Sequence, residues 1–259
     1  MASELGSFLR ARRTDPRLRP EQQSLGVRRV SGLRREEVAA AAGISIDYYT
    51  RLEQGRETNP SDAVLRAVAR VLRLKGDSLE YLFLLRSTTD AAVPSVDDGT
   101  DLRRRAEALV AAVRPNPAYV LDRLSNVLAI NAEGLALLDG LESEPADARN
   151  MCTYLLTHAR AREIFVDWEE IARGAVAQLR AANAGNLREA RLQELVDQLA
   201  AQSPRFAGWW SGHLVGRRRS STKRLRTNAG EVERQLEILQ MPDEGLRMTL
   251  WLPASAASA

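Results

Sequence analysis

Nine arginines fall between residues 10 and 35, against only two acids, Asp15 and Glu21. That density suits a polyanion, whose condensed counterions would be released by each bound cation, and it equally suits a solvated basic loop. A second run, Arg217, Arg218, Arg219, Lys223, Arg224 and Arg226, puts six bases and no acid into ten residues. It reads as a solvated strand face, a second polyanion contact or a set of salt-bridge partners across a dimer. Catalytic chemistry finds little material. One cysteine, Cys152, and two histidines, His158 and His213, exclude a Cys-pair zinc site and argue against any all-protein metal centre or resident cofactor. No two glycines stand two positions apart, and neither G-x-S-x-G nor a Walker A sequence occurs. Ser211 lies near His213, but residues so close in the chain point apart, so no enzyme is expected.

The 259 residues are enough for two domains, and 44% apolar content can build a core in each. Net charge is +3, unevenly spread: residues 1–89 hold sixteen Lys/Arg against eleven Asp/Glu, a surplus of five, and the remainder holds twenty-one against twenty-three, a deficit of two. No uncharged apolar stretch of the roughly 18 residues that a membrane helix needs is present. Arg10, Arg12 and Arg13 interrupt Leu5, Phe8 and Leu9 before a secretory h-region can form. The expectation is a soluble, cytoplasmic chain with no membrane partner.

The elements that must position these residues divide at Ser87–Asp101, where four acids, a proline and a glycine leave little to bury. This predicts a first domain over 1–86, a linker over 87–101 and a second domain over 102–259. Upstream, apolar residues recur at helical spacing in five blocks, with Ser45, Pro60-Ser61 and Gly76-Asp77 as punctuation. Downstream, one helix through Leu109 and Val113 precedes two short strands around Tyr119–Leu121 and Val127–Ile130. Helical pattern then returns at 132–138, 151–156, 168–179 and 187–199, with a short helix opened by Ser203-Pro204. Asp167 and Glu170 have the spacing of a capping box. Period two follows, in Val232, Leu236 and Ile238 and again in Leu246, Met248, Leu250 and Leu252, with a further strand expected within 214–226. Both runs read as half-buried. Two strands, several helices and three strands predict an α+β domain of PAS-like topology, its antiparallel five-stranded sheet covered by helices on one face.

The most informative segment is Leu33–Gly55, LRREEVAAAAGISIDYYTRLEQG. Gly43 permits a left-handed turn between two helices, small Ala39 lets them cross closely, and Val38, Ile44, Tyr49 and Leu52 seal the joint. Ile46, Asp47, Thr50 and Arg51 are left on the outward face of the second helix. Of Tyr48 and Tyr49, one is expected in the core and one at the surface. The segment resembles the Xre-type, λ repressor-like helix-turn-helix domains, whose pattern is matched at Val38-Ala39, Gly43, capping Ser45, Leu52-Glu53 and Gly55. That resemblance implies an all-α λ repressor-like domain. It puts Arg35 at a phosphate-gripping position and Ile46, Asp47 and Thr50 at base-reading positions on double-stranded DNA. Ile46 can touch a thymine methyl and Asp47 can accept only from cytosine. Arg28, Arg29, Arg34, Arg35, Arg51 and Arg56 then supply most of the affinity through the DNA backbone. The long connection Thr14–Gly32 reads either as an arm along DNA or as a floppy basic loop. A homodimer on a pseudo-palindrome is expected, since one such domain makes few base contacts.

With a second domain added, the chain resembles the MmyB-like transcription regulators. The resemblance rests there on Pro117-Ala118-Tyr119-Val120-Leu121, Leu128-Ala129-Ile130-Asn131, Asp167-Trp168-Glu169, Trp210 with His213, and Thr222-Lys223-Arg224. Ile130 stands where the family commonly has Trp, and Thr227-Asn228 where it commonly has His-Pro. The resemblance implies a sensor of a fatty acid or similar apolar acid held between sheet and helices. Such a ligand needs apolar walls, for which Tyr119, Leu121, Leu128, Ile130, Trp168, Trp210 and Leu250 are candidates, and a polar end, for which Asn131 and His213 are candidates. Each of them also reads as plain core or, for His213, a structural histidine. The alternative for this domain is a protein-interaction or dimerisation module with a packed interior and no small-molecule ligand.

Overall fold

The computed structural model describes residues 3–18, 32–86, 99–227, 230–241 and 245–254. Arg19, Arg28, Arg29 and the stretch 87–98 of the expected linker lie outside the described residues. The chain divides into two compact units, taken in turn.

The first unit has the five helices that the apolar blocks predict: α1 (Glu4–Arg13), α2 (Arg35–Ala42), α3 (Ile46–Glu53), α4 (Asp62–Val71) and α5 (Asp77–Arg86). Serine hydroxyls begin three of them by accepting an otherwise orphaned backbone N–H: Ser3 from Gly6, Ser45 from Tyr48 and Ser61 from Val64. Gly43 ends α2 at φ 70°, the left-handed conformation that reverses the chain. Phe8, Leu9, Val38, Tyr49, Leu52, Leu65, Val68 and Leu82 are wholly buried. Phe8 packs edge-on against Tyr81, centroids 5.1 Å apart. A contact that the sequence did not announce fixes α1 on α3: a Cβ at Gly6 would stand 2.3 Å from the Glu53 carbonyl oxygen, so only glycine allows that approach.

The second unit runs α6 (Gly99–Ala112), β1 (Ala118–Leu121), β2 (Val127–Ile130), α7 (Ala132–Leu137), a 3₁₀ turn at Leu141–Ser143, α8 (Met151–Thr157), α9 (Ala159–Ile164), α10 (Trp168–Ala182), α11 (Ala190–Gln202), α12 (Pro204–Ser211), β3 (Ser221–Thr227), β4 (Gly230–Met241) and β5 (Leu246–Pro253). The strands form one antiparallel sheet in the order β2-β1-β5-β4-β3, so the α+β architecture with five strands is as expected. Helical cover on a single face is not. Ala106 and Val110 of α6 pack on Ala118, Val120, Ala129, Leu246 and Met248. On the opposite face Phe165 stacks on Trp251, centroids 5.9 Å apart.

Three local expectations change for stated physical reasons. Strand β5 is central, so both of its faces are covered, and Arg247, Thr249 and Trp251 are as buried as Leu246 and Met248. The strand expected from 214 begins only at Ser221, because the backbone N–H groups of Gly216 and Arg218 donate to the Ala177 carbonyl and the Gln178 side chain of α10. Asp167 begins α10 without a side-chain cap. Its carboxylate instead accepts two bonds from Arg224 of β3, and Glu170 pairs with Lys223 of the same strand.

Candidate functional site

In α3 the four residues expected outside are there. Ile46 is 51% exposed, the side chains of Asp47 and Arg51 are open to solvent, and Thr50 is half-buried beside them, whereas Tyr49 and Leu52 turn into the core. Tyr48 is the partly exposed tyrosine of the pair, and Arg51 lies over its ring at 5.7 Å. Asp47 and Arg51 approach to 3.6 Å across one helical turn, a surface pair of small energetic weight. Arg34 and Arg56 are exposed at the rim. Ser45 is spent on the cap of α3. An outward helix with an apolar tip, an acid and a base, edged by arginines, has the chemistry of a groove-reading element.

Arg35, which the resemblance puts at a phosphate-gripping position, is engaged within the domain. Its guanidinium donates twice to Glu53 Oε1, at 3.0 and 2.8 Å, and its side chain is 40% exposed. Arg13 binds the same carboxylate from α1, through Nε at 2.7 Å and Nη2 at 3.0 Å, and gives Nη1 to the Leu33 carbonyl at 2.9 Å. Burial pushes the Glu53 carboxyl up, but the bonds and charges of Arg13 and then Arg35 outweigh it and hold the group below its ordinary range. The glutamate of the Leu52-Glu53 motif is thus a buried hub joining α1, α2 and α3. No sequence signal marked Arg13, one arginine in a run of many, as its partner.

The residues expected to line a ligand site do not share one space. Tyr119 and Ile130 pair across β1 and β2, and Tyr119 also pairs with Thr249, which places them on the face opposite α6, the one that carries Trp251. Leu121, opposite Arg247, belongs to the same face. Leu128 and Leu250 instead pack against the α6 cluster on the other face. Leu250 alternates with Arg247, and Leu128 follows the slip in register between Val120 and Leu121. Asn131, expected as a polar end, is saturated: it accepts from Ala118 N and Gly134 N and donates to the carbonyls of Val110 and Asn116.

Trp168 donates to the Leu155 carbonyl at 2.6 Å and lies between Arg162 and Arg205, 4.5 and 5.7 Å from its ring. It borders an open cleft of about 390 Å³ whose other walls are Arg162, Phe165, Val166, Asp167, Glu169 and Glu170, a surface that mixes charged and apolar groups. Trp210 stacks on Phe206 and carries the Arg180 guanidinium 3.9 Å from its ring centroid. His213 places Nδ1 3.5 Å from that same guanidinium.

Sequence reasoning missed Arg247, which the period-two pattern assigns to solvent. It is 5% exposed, donates to the Asp122 carbonyl at 3.2 Å and to the Ser125 hydroxyl at 2.8 Å, and burial above all pushes its pKa down. Cys152, buried nearby, has its thiol pushed up by the same desolvation.

Among the described residues no three His, Cys, Asp or Glu side chains are grouped to hold a metal, and no helix is long and apolar enough to cross a membrane. Comparison with curated proteins finds no match. A helix-turn-helix domain model matches residues 4–82, and the model of the MmyB-like transcription regulator ligand binding domain matches residues 102–259, more than half of the chain. With an outward-facing α3 in the first match and the five-stranded sheet in the second, the chain belongs to the MmyB-like transcription regulators, DNA-binding regulators that carry a ligand-binding domain.

Proposed function

We propose that this regulator reads a specific DNA sequence with α3 and responds to an apolar acid such as a fatty acid in its second domain. The observation that carries the first half is the outward-facing set of exposed Ile46, Asp47 and Arg51 with half-buried Thr50, on the helix whose other side, Tyr49 and Leu52, is core. Ile46 meets a thymine methyl in the major groove, Asp47 selects for cytosine, and Arg34, Arg51 and Arg56 hold phosphates. Arg35 contributes charge while it braces Glu53. Two copies bind a pseudo-palindrome with half-sites about 34–36 Å apart.

A gel-shift titration across salt tests this. Arg51→Glu should weaken binding about 10-fold or more and flatten the salt dependence by about 1 in slope, because it removes one phosphate contact and adds a repulsion. Ile46→Ala should leave the slope alone and relax the preference at one base pair. A titration that Arg51→Glu leaves unchanged would take α3 out of the interface. Mass spectrometry of the purified protein tests the sensor: bound acyl chains are expected, and an empty protein that no apolar ligand stabilises would favour a docking module instead.

A further inference from the structure

The second domain buries a charge that none of its described residues neutralises. Arg247 lies on β5, the middle strand of the sheet, opposite Leu121 of β1 and Gln240 of β4. A guanidinium has five N–H donors. Arg247 places one on the Asp122 carbonyl and one on the Ser125 hydroxyl, both neutral acceptors. Among the described residues it has no carboxylate at ion-pair distance. Asp122 is the nearby acid, but both of its carboxylate oxygens accept from Asn126, through the backbone N–H and the side-chain amide, each at 2.8 Å. An uncompensated buried cation is costly, and proteins ordinarily pair it.

Its surroundings add to the imbalance. Burial is the main reason that the pKa of Arg247 is pushed down, and the positive charge of Arg218 adds to it. Arg218 is half-buried, gives its backbone N–H to Gln178 at 2.7 Å, and has no ion pair among the described residues. Cys152 and Tyr119, which also face Arg247, are buried, and burial pushes the Cys152 thiol up. Beyond the cation the same face of the sheet turns apolar, with Tyr119 and Ile238 flanking Thr249 and Leu236 opposite Trp251. Trp251 also buries its indole N–H without an acceptor among the described residues.

We propose that Arg247, with Arg218 beside it, binds the carboxylate of an apolar monocarboxylic acid as the domain's ligand. The planar fork of Arg247 matches a carboxylate in bidentate fashion, and an anion between two guanidiniums relieves their mutual repulsion and the unpaired burial together. The inference rests on the reading of this domain as a sensor of an apolar acid, and it fixes the end at which the acid is recognised.

The test compares dodecanoate with dodecan-1-ol, the same chain without the charge, by calorimetric titration of delipidated full-length protein. Wild type should bind dodecanoate about 10-fold or more tighter than the alcohol, as expected of a charge-assisted bidentate pair. Arg247→Met should bind the two equally. Arg218→Gln, at a half-buried position, should narrow the preference by a few-fold. Should Arg247→Met fail to fold, judged by the tryptophan fluorescence of the domain, the Arg218→Gln result decides. Either variant retaining the full wild-type preference overturns the proposal. So does wild-type protein that binds both compounds equally, which leaves the sensor reading standing. Wild-type protein that binds neither overturns both.

Discussion

Alanine at Glu53 is expected to lower the stability of the helix-turn-helix domain by about 3–5 kcal/mol, the range for breaking a buried ion pair by removing one partner. The carboxylate is fully enclosed, and Arg13, itself buried, donates two bonds to it. Removing the acid leaves the Arg13 guanidinium desolvated with only the Leu33 carbonyl as acceptor. Arg35→Ala should cost far less, about 1 kcal/mol, because that side chain is partly solvated and Arg13 still neutralises the glutamate. All four tryptophans, Trp168, Trp209, Trp210 and Trp251, belong to the second domain. Far-UV circular dichroism therefore follows the helices of both domains, and tryptophan fluorescence follows only the second. Glu53→Ala should melt part of the helical signal about 12 °C or more early, at about 4–8 °C per kcal/mol for a domain of this size, while fluorescence melts as in wild type. A helical signal that melts at the wild-type temperature would show that the cluster holds nothing together.

The same cluster sets a pH dependence. Glu53 is held below its ordinary value of 4.5. A carboxyl whose pKa is depressed on folding stabilises the fold fully above its unfolded pKa and loses that contribution as pH falls through the folded one. The helix-turn-helix domain should thus keep its stability down to about pH 4.5 and weaken in more acid solution, where the unfolded chain takes up the proton first. In Glu53→Gln that acid slope should be shallower, as measured by dichroism melts between pH 3 and 7.

How far the sequence reaches depends on whether a residue's role is set nearby or far along the chain. The five N-terminal helices are legible because each has an apolar stripe and a local stop, such as Ser45, Ser61 or left-handed Gly43. The outward quartet on α3 follows from the same period. Glu53 looks like any glutamate of an amphipathic helix, and its burial depends on Arg13, forty positions away. Gly6 is likewise unmarked, since the backbone that crowds it comes from the far end of α3. In the second domain, period two locates β4 and β5 but cannot report that β5 becomes the central strand, and so Arg247 and Thr249 read as solvent-facing. Helix α9 and the 3₁₀ turn at Leu141–Ser143 are too short to show a period at all. The Asp167 capping box fails for an electrostatic reason: β3 brings Arg224 and Lys223 to Asp167 and Glu170 from more than fifty residues away.

Asn131 presents the largest effect expected in the second domain, and it separates a structural polar residue from a ligand-binding one. Its side chain uses every donor and acceptor it has. The oxygen caps α7 at Gly134 N, 2.8 Å away, and takes Ala118 N at the start of β1 at 3.0 Å. The amide donates to Val110 at the end of α6, at 3.1 Å, and to Asn116, at 2.8 Å. One side chain thus pins a helix end, a strand start and a helix start at a site 6% exposed. Asn131→Ala removes an N-cap worth about 1 kcal/mol and strands buried backbone groups at about 1–3 kcal/mol each, so a loss of about 3–5 kcal/mol is expected. Asn131→Asp keeps both accepted bonds and loses only the two donated ones, so it should fall between that variant and wild type. Tryptophan fluorescence in urea reads both, and the preference for dodecanoate over dodecan-1-ol should be the same in Asn131→Asp as in wild type. A fully stable Asn131→Ala protein, or an Asp variant that loses the preference, would return this residue to the ligand site that its place after β2 first suggests.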